Sequence, residues 1–529
     1  MKKENEFIDI KTIQWSEARI AYIKKQLESL LSVVELEHKG KPVSVDGFRL
    51  KNLGHWKVPK CDDFTFVEDM LEYIGRMNRC RSRCHFCFFQ GNPKDSIFSS
   101  PYQPPEEEIL TRLRYYSSPD PTMLFPTWVD FEEILGDERT FRLLCELRKI
   151  TDEQFVITTA GAMLTGEFIE RLRLLEPLIL RLSLNLSDIK KRQALMRDRR
   201  AAVGVKALPL LRQAGISYWT SIVGWFGLEE KDIRDTIEYA VSHDTMAVNF
   251  MLGSFTQYNA PSEAAGWPDL WLHYLSIVED MREKVSCPIF IVPALFEENR
   301  RGTGWKEARV LGAIKNSTAS KSGILSGDII ETVEGRKPLS RPDLIQELCS
   351  REIEGLETTV MVKRGKHSLS FSLSPEDSAY PYKSGAYAYG ILMADGLSHR
   401  ELEKLITIIR EHNSTHTVVA TSLLMKPSLL EALDELDIET RSGSRITPVV
   451  ITSSYHGGNI IVGDLMACED YIASLRSCIR ESGERPDLII IPGSGFGDWK
   501  FDIAGKSYNL IERTLKIPVE VLDNRRIFL

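Results

Sequence analysis

The sequence predicts an α/β protein of several parts: a parallel sheet or barrel with its helices, a β-rich domain after it, and a second α/β domain at the end. Three observations predict this. From about residue 64 to 293, short apolar runs alternate with amphipathic helical stretches, the pattern of a parallel sheet wrapped by helices. From about 301 to 375 the pattern changes to glycine turns, one helix and two alternating strands, and from about 380 the strand–helix alternation returns. At 529 residues the chain is too long for one ordinary core. The divisions read from these shifts are 1–60, 61–300, 301–375 and 376–529.

In the first division Ile20, Ile23, Leu27, Leu30, Leu31 and Val34 recur at helical spacing, which predicts a helix over 16–36 that ends at Lys39-Gly40-Lys41-Pro42. It reads as a helical extension packed on the next domain. In the second division strands are expected at 122–125, 155–159, 179–184, 218–223, 246–252 and 289–292, with helices such as 167–175 and 231–242 between them. Ligands of such folds sit at the carboxyl ends of the strands.

At the start of that division stands Cys80-Arg81-Ser82-Arg83-Cys84-His85-Phe86-Cys87-Phe88-Phe89, with three cysteines at C-x3-C-x2-C spacing within eight residues. Three thiolates so close can face one inorganic centre, and soft thiolates select zinc, copper(I) or iron–sulfur clusters. A structural zinc site usually takes four protein ligands, and His85 is cramped inside the triplet. A disulfide suits an odd set poorly. The other six cysteines (Cys61, Cys145, Cys287, Cys349, Cys468 and Cys478) are scattered and read as buried, hydrophobe-like thiols.

In the third division Val310-Leu311-Gly312-Ala313-Ile314 leads to Gly323 and Gly327-Asp328-Ile329-Ile330, then to a helix near 341–349 and strands at 358–362 and 368–373. In the fourth, strands are expected at 417–420, 448–452, 459–462 and 488–491, with helices over 399–410 and 470–480. Two runs stand out there, Tyr455-His456-Gly457-Gly458-Asn459 with Asp464, and the glycine-rich 493–497. The second lacks the lysine and spacing of a phosphate-binding loop and reads as a strand-to-helix turn.

The cysteine loop, with Phe86 before its last cysteine, resembles that of the radical S-adenosylmethionine (SAM) enzymes. The resemblance implies a partial (β/α) barrel of radical SAM type and a [4Fe–4S] cluster on Cys80, Cys84 and Cys87. SAM would chelate the fourth iron through its amino and carboxylate groups, and one electron would then cleave it to methionine and a 5′-deoxyadenosyl radical. By the same resemblance Phe86 would pack near adenine and Thr127 would face the methionine amino group. Ser183 and Asn185 would meet ribose or carboxylate, and Val223 would contact adenine through its backbone. A one-electron donor such as flavodoxin or ferredoxin is implied.

Residues 310–335 resemble a bacterial PDZ domain, which implies a possible peptide or protein partner added as a strand to a sheet edge, although no carboxylate-binding loop precedes Val310. Together with the 453–465 and 488–498 runs, the chain looks like the PDZ-containing radical SAM iron–sulfur oxidoreductases with an uncharacterised C-terminal domain. In that group the PDZ domain precedes the barrel; here it follows.

The formal net charge of -8 and pI near 5.8 argue against nucleic acid as a main partner. The basic runs at 190–192 and 197–200 read as solvated helix faces. No signal-peptide core follows the charged N-terminus, and no apolar run approaches the roughly 20 residues of a membrane span. A reducing, cytoplasmic location is expected. Asp130, Glu132 and Glu133 are candidate substrate-binding carboxylates, and His456 and Asp464 candidate cleft residues.

Two functions follow: an enzyme that abstracts hydrogen from an unknown substrate by the deoxyadenosyl radical, and an iron–sulfur cluster-carrying adaptor that recruits partners through its PDZ-like and C-terminal domains. A zinc-stabilised interaction protein is a third. Substrate and product are not legible in the sequence.

Overall fold

The structure, a computed structural model, describes residues 36–38, 41–43, 80, 82–88, 91–93, 133–136, 138–149, 155–375, 388–496 and 502–522. In the first division these form a hairpin, β1 (Leu36–His38) antiparallel to β2 (Lys41–Val43). Leu36 therefore begins a strand where a helix end was expected. The rest of that helix, the strand at 122–125, and Thr127, Asp130 and Glu132 lie outside the described residues.

Five parallel strands carry the site: β3 (Phe155–Thr159), β4 (Leu178–Ser183), β5 (Tyr218–Gly224), β6 (Val248–Leu252) and β7 (Ile289–Val292), side by side in chain order. Between and before them run α1 (Glu138–Arg148), α2 (Gly166–Leu172), α3 (Ile189–Met196), α4 (Ala201–Ala214), α5 (Glu230–Ser242) and α6 (Trp267–Lys284). Side chains alternate across a strand, so the sheet has two faces. On one, Phe155, Ile157, Leu180, Leu182, Ile222 and Phe250 pack with the helices in the main core. Each fully buried Leu or Ile there contributes about 1.5–3 kcal/mol.

The other face is layered. At its base Val156, Ile179 and Trp219 join a second core with Leu402, Ile406, Val419 and Ile490 of the last domain, which Phe290, the register partner of Asn249, also enters. Above them a polar row crosses the sheet in register: Ser183 pairs with Ser221, and Ser221 with Asn249.

After α7 (Ala294–Arg301) come β8 (Gly312–Ala313), α8 (Thr318–Ser322), β9 (Ile329–Val333), α9 (Arg341–Ile353), β10 (Thr358–Arg364), β11 (His367–Leu373) and β12 (Ile391–Leu392). β9–β11 form an antiparallel sheet in the order β11-β10-β9, and β12 pairs with β8. The core here also takes in Ala388, Tyr389, Ile391 and Met393. A buried ionic seam fastens this unit to the barrel. The Glu297 carboxylate accepts from Arg282 at 2.6 Å, Arg301 at 3.1 Å and Arg309 at 3.2 Å, and Glu298 pairs with Arg309 at 2.8 Å.

The last domain is α10 (His399–Glu411), β13 (His416–Thr421), α11 (Lys426–Glu435), α12 (Ile438–Ser442), β14 (Arg445–Val450), α13 (Cys468–Ser482), β15 (Leu488–Pro492), α14 (Asn509–Leu515) and β16 (Val519–Leu522). Its sheet is parallel, in the order β14-β13-β15-β16. Residues 459–462, expected as a strand, are not one. Their first polar group is committed elsewhere: the Asn459 carboxamide accepts from Phe255 N–H at 2.7 Å and donates to Gly253 O at 3.0 Å, tying this loop to the barrel.

Candidate active site

The cysteine loop is held in place by backbone bonds. Arg83 N–H donates to Met196 O at 3.1 Å and His85 N–H to Leu195 O at 3.0 Å, so the loop leans on the end of α3. Cys87 N–H donates to Cys84 O at 3.1 Å, and Asn259 Nδ2 donates to Cys87 O at 3.3 Å. Cys80 is exposed; Cys84 and Cys87 are half-buried. The Cys84 thiol is pushed up by burial first, then by Cys87 and Cys80, with Arg192 opposing. Among the described residues no three His, Cys, Asp or Glu side chains converge tightly enough to hold a metal ion as they stand. The donor set itself fits: three neighbouring thiols, mutually repulsive as thiolates, on one anchored loop.

Phe86 sits half-buried against Leu186, Leu195, Trp225 and Phe255, with its ring centroid 6.4 Å from that of Trp225 in an edge-on contact. Ser183 is half-buried at the end of β4, and Val223 half-buried near the end of β5. Asn185 is fully buried at φ 59°, and its carboxamide bridges the two strand ends: Oδ1 accepts from Val223 N–H at 3.0 Å and Nδ2 meets Met196 Sδ at 3.3 Å. Its side chain is thus engaged within the protein. Asn249 is buried, and its Oδ1 has no hydrogen-bond partner among the described residues. A buried acceptor without a donor costs free energy until a donor reaches it. An N–H or O–H group of a bound cofactor on this face would do so.

Two charge readings need correction. Arg192, expected on a solvated face, is completely buried. Its guanidinium binds Ala160 O at 2.5 Å, Leu184 O at 2.9 Å, Ser183 O at 3.3 Å and the Asp198 carboxylate at 2.7 Å, and so ties the ends of β3 and β4 together beneath the cysteine loop. Asp198, from the other basic run, is 5% exposed. Glu133 is also buried. Its carboxylate accepts from Thr159 Oγ1 and, at 2.7 Å, from Ala160 N–H, and burial pushes its pKa above the usual range. It braces a strand end and offers no open carboxylate.

The last domain reaches into this site. Its 453–465 loop places His456, fully buried, against Asn92 and the Phe88 ring just beyond Cys87. Gln257 N–H donates to His456 O at 2.7 Å. At Gly458 (φ 63°) a Cβ would collide with the Phe255 carbonyl, so only glycine permits this approach. Sequence reasoning missed Arg192, Ser221, Asn249 and Asn92. Polar residues inside otherwise apolar strands signalled Ser221 and Asn249; nothing local signalled Asn92.

Comparison with known proteins agrees with the loop. Residues 74–240 match the model of the Radical SAM superfamily. A radical SAM domain is therefore present, the catalytic domain of an enzyme class that uses a [4Fe–4S] cluster and SAM. Among solved structures, Streptococcus suis SuiB matches at 15% identity over 40% of this chain and 47% of that chain, with TM-score 0.29. SuiB bound to S-adenosylmethionine matches at 14% over 41% and 48% (TM-score 0.30), and SuiB bound to precursor peptide SuiA at 15% over 41% and 49% (TM-score 0.28). The chain spans less than half the length of each of these chains. No curated protein matches it significantly. No helix among the described residues is long and apolar enough to cross a membrane.

Proposed function

We propose that the chain is a radical SAM enzyme that binds a [4Fe–4S] cluster at Cys80, Cys84 and Cys87 and abstracts hydrogen from a substrate held between the barrel and the 453–465 loop. The observation that carries this is the anchored cysteine loop at the carboxyl end of a sheet whose second face presents Ser183, Ser221 and Asn249, the last with an unmet acceptor. Together the cluster and SAM supply one-electron cleavage to a 5′-deoxyadenosyl radical; the protein's part is to bind, orient and exclude water.

In this reading Asn249 accepts from a SAM N–H or O–H, and Ser221 and then Ser183 continue the row on one side of it. Phe86, with Trp225, forms an apolar wall for adenine. Asn185 acts through the Val223 backbone by holding the ends of β4 and β5 together. Thr127 is proposed for the methionine amino group. The electron would come from a flavodoxin or ferredoxin in a reducing cytoplasm. We assign the chain to the PDZ-containing radical SAM oxidoreductases with their own C-terminal domain. A spacer role for the PDZ-like segment is supported by the burial of Ile391 and Leu392, which already pair with β8.

Anaerobic reconstitution tests the cluster. The protein should gain iron and an absorbance near roughly 400 nm from thiolate-to-iron charge transfer. A variant with all three cysteines replaced by Ala should gain neither; full iron content in it would overturn the assignment, and zinc in place of iron would favour an interaction protein.

A further inference from the structure

The last domain has a cleft of its own. From β13 the chain moves outward to β14, and from β15 it moves the other way to β16, so the strand order reverses between β13 and β15. In open parallel sheets such a switch point leaves a crevice beyond the carboxyl ends of the two central strands. Here it is a cleft, partly open to solvent, bounded by residues 419–422 and 490–494. Its walls are mainly apolar, with Met425 and Leu429 among them, and its polar residues are Thr421, Ser422, Asp464 and Ser494. Among the described residues no Lys, Arg or His lines it. Thr421 is 5% exposed, and its Oγ1 has no hydrogen-bond partner among the described residues. Buried hydroxyls are nearly always paired, so an unpaired one in a cleft wall marks where a ligand atom is met.

We propose that this cleft is a second small-molecule site, distinct from the barrel face, for a compound with an apolar body and a head group that donates hydrogen bonds, either a primary amine or an alcohol. The apolar walls take the body. Thr421 Oγ1 accepts from the head, and the Asp464 carboxylate, 5% exposed, favours a donor or a cation and disfavours carboxylates and phosphate esters. The site stands whether or not the barrel cleaves SAM.

The test is methyl NMR on the full chain labelled at Met and Ile, titrated with n-hexylamine, 1-hexanol and sodium hexanoate. Saturable shifts at Met425 and Ile490 are expected for the amine and the alcohol, with Kd at least tenfold below that of hexanoate. T421V should weaken 1-hexanol at least fivefold. G463L fills the cleft where glycine is not at positive φ and a Cβ would meet Ser422 only at 3.5 Å, so it should abolish the saturable shifts. Non-saturable shifts, equal binding of hexanoate, or shifts unchanged in both folded variants would overturn the proposal.

Discussion

His456 Nε2 lies 2.9 Å from Asn92 Oδ1, a hydrogen bond between residues 364 positions apart that joins the last domain to the cysteine loop. Asn92 Nδ2 donates to Phe88 O at 2.8 Å, which turns its Oδ1 toward the imidazole. On the other side His456 Nδ1 lies 3.1 Å from Leu465 O. A neutral ring has one N–H and can satisfy one of these two oxygens; a charged ring would satisfy both but must be buried. Burial prevails over the Leu465 contact and lowers the His456 pKa to about 4.

This pair is expected to hold the loop that presents Cys87. H456A and N92A should each speed iron loss to a chelator several-fold, and the double variant should be little worse than either. A stability cycle should give a coupling of about 1 kcal/mol. Additive effects would make the contact incidental. The depressed pKa also fixes a sign. The unfolded ring takes up a proton first, so the stability that His456 contributes is complete above pH 6.5 and falls as pH drops toward 4.

Glu297 gives a second pH window. Burial alone would raise its carboxyl, but the hydrogen bond and charge of Arg282, with Arg309 and Arg301, outweigh it and hold the pKa at about 2. Relative to an ordinary 4.5, that corresponds to about 3 kcal/mol. E297Q should lose about that much near neutral pH. The gap to wild type should close as pH falls from 4.5 toward 2, where the wild-type carboxylate protonates. Denaturant melts across pH 2–7 measure it, and a pH-independent gap would mean packing, not charge, is lost.

Gly204 on α4 has no room for a side chain. A Cβ there would stand 2.8 Å from Arg192 Nη2 and 2.9 Å from the backbone oxygen of Ala160. G204A should therefore displace the guanidinium that joins β3 to β4 and cost about 1–3 kcal/mol. Thermal unfolding checks this, and an unchanged Tm would show that the seam can shift freely.

Much of the fold was legible because its strands are short apolar runs with clear ends; 155–159 and 289–292 were placed to the residue. Ile460-Ile461-Val462 looked like another such run, but the neighbouring Asn459 bonds across to the barrel and the loop never enters a sheet. The Arg192–Asp198 pair was not legible, because no local pattern says a charge is buried. Between the two partners Arg197 turns the chain at φ 48°. The row Ser183–Ser221–Asn249 needed the register between strands that are far apart in sequence. The cysteines were plain from the start, since their spacing is itself the chemistry.

The central claim is SAM cleavage, and 5′-deoxyadenosine measured by liquid chromatography tests it most directly. The reconstituted protein, given SAM and a strong one-electron reductant, should release 5′-deoxyadenosine. N249A should retain its cluster but lose at least tenfold in rate at low SAM, about 1.4 kcal/mol of stabilisation. No 5′-deoxyadenosine from cluster-loaded protein, even with cell extract supplied as a source of substrate, would contradict the account and leave a cluster-carrying adaptor in its place.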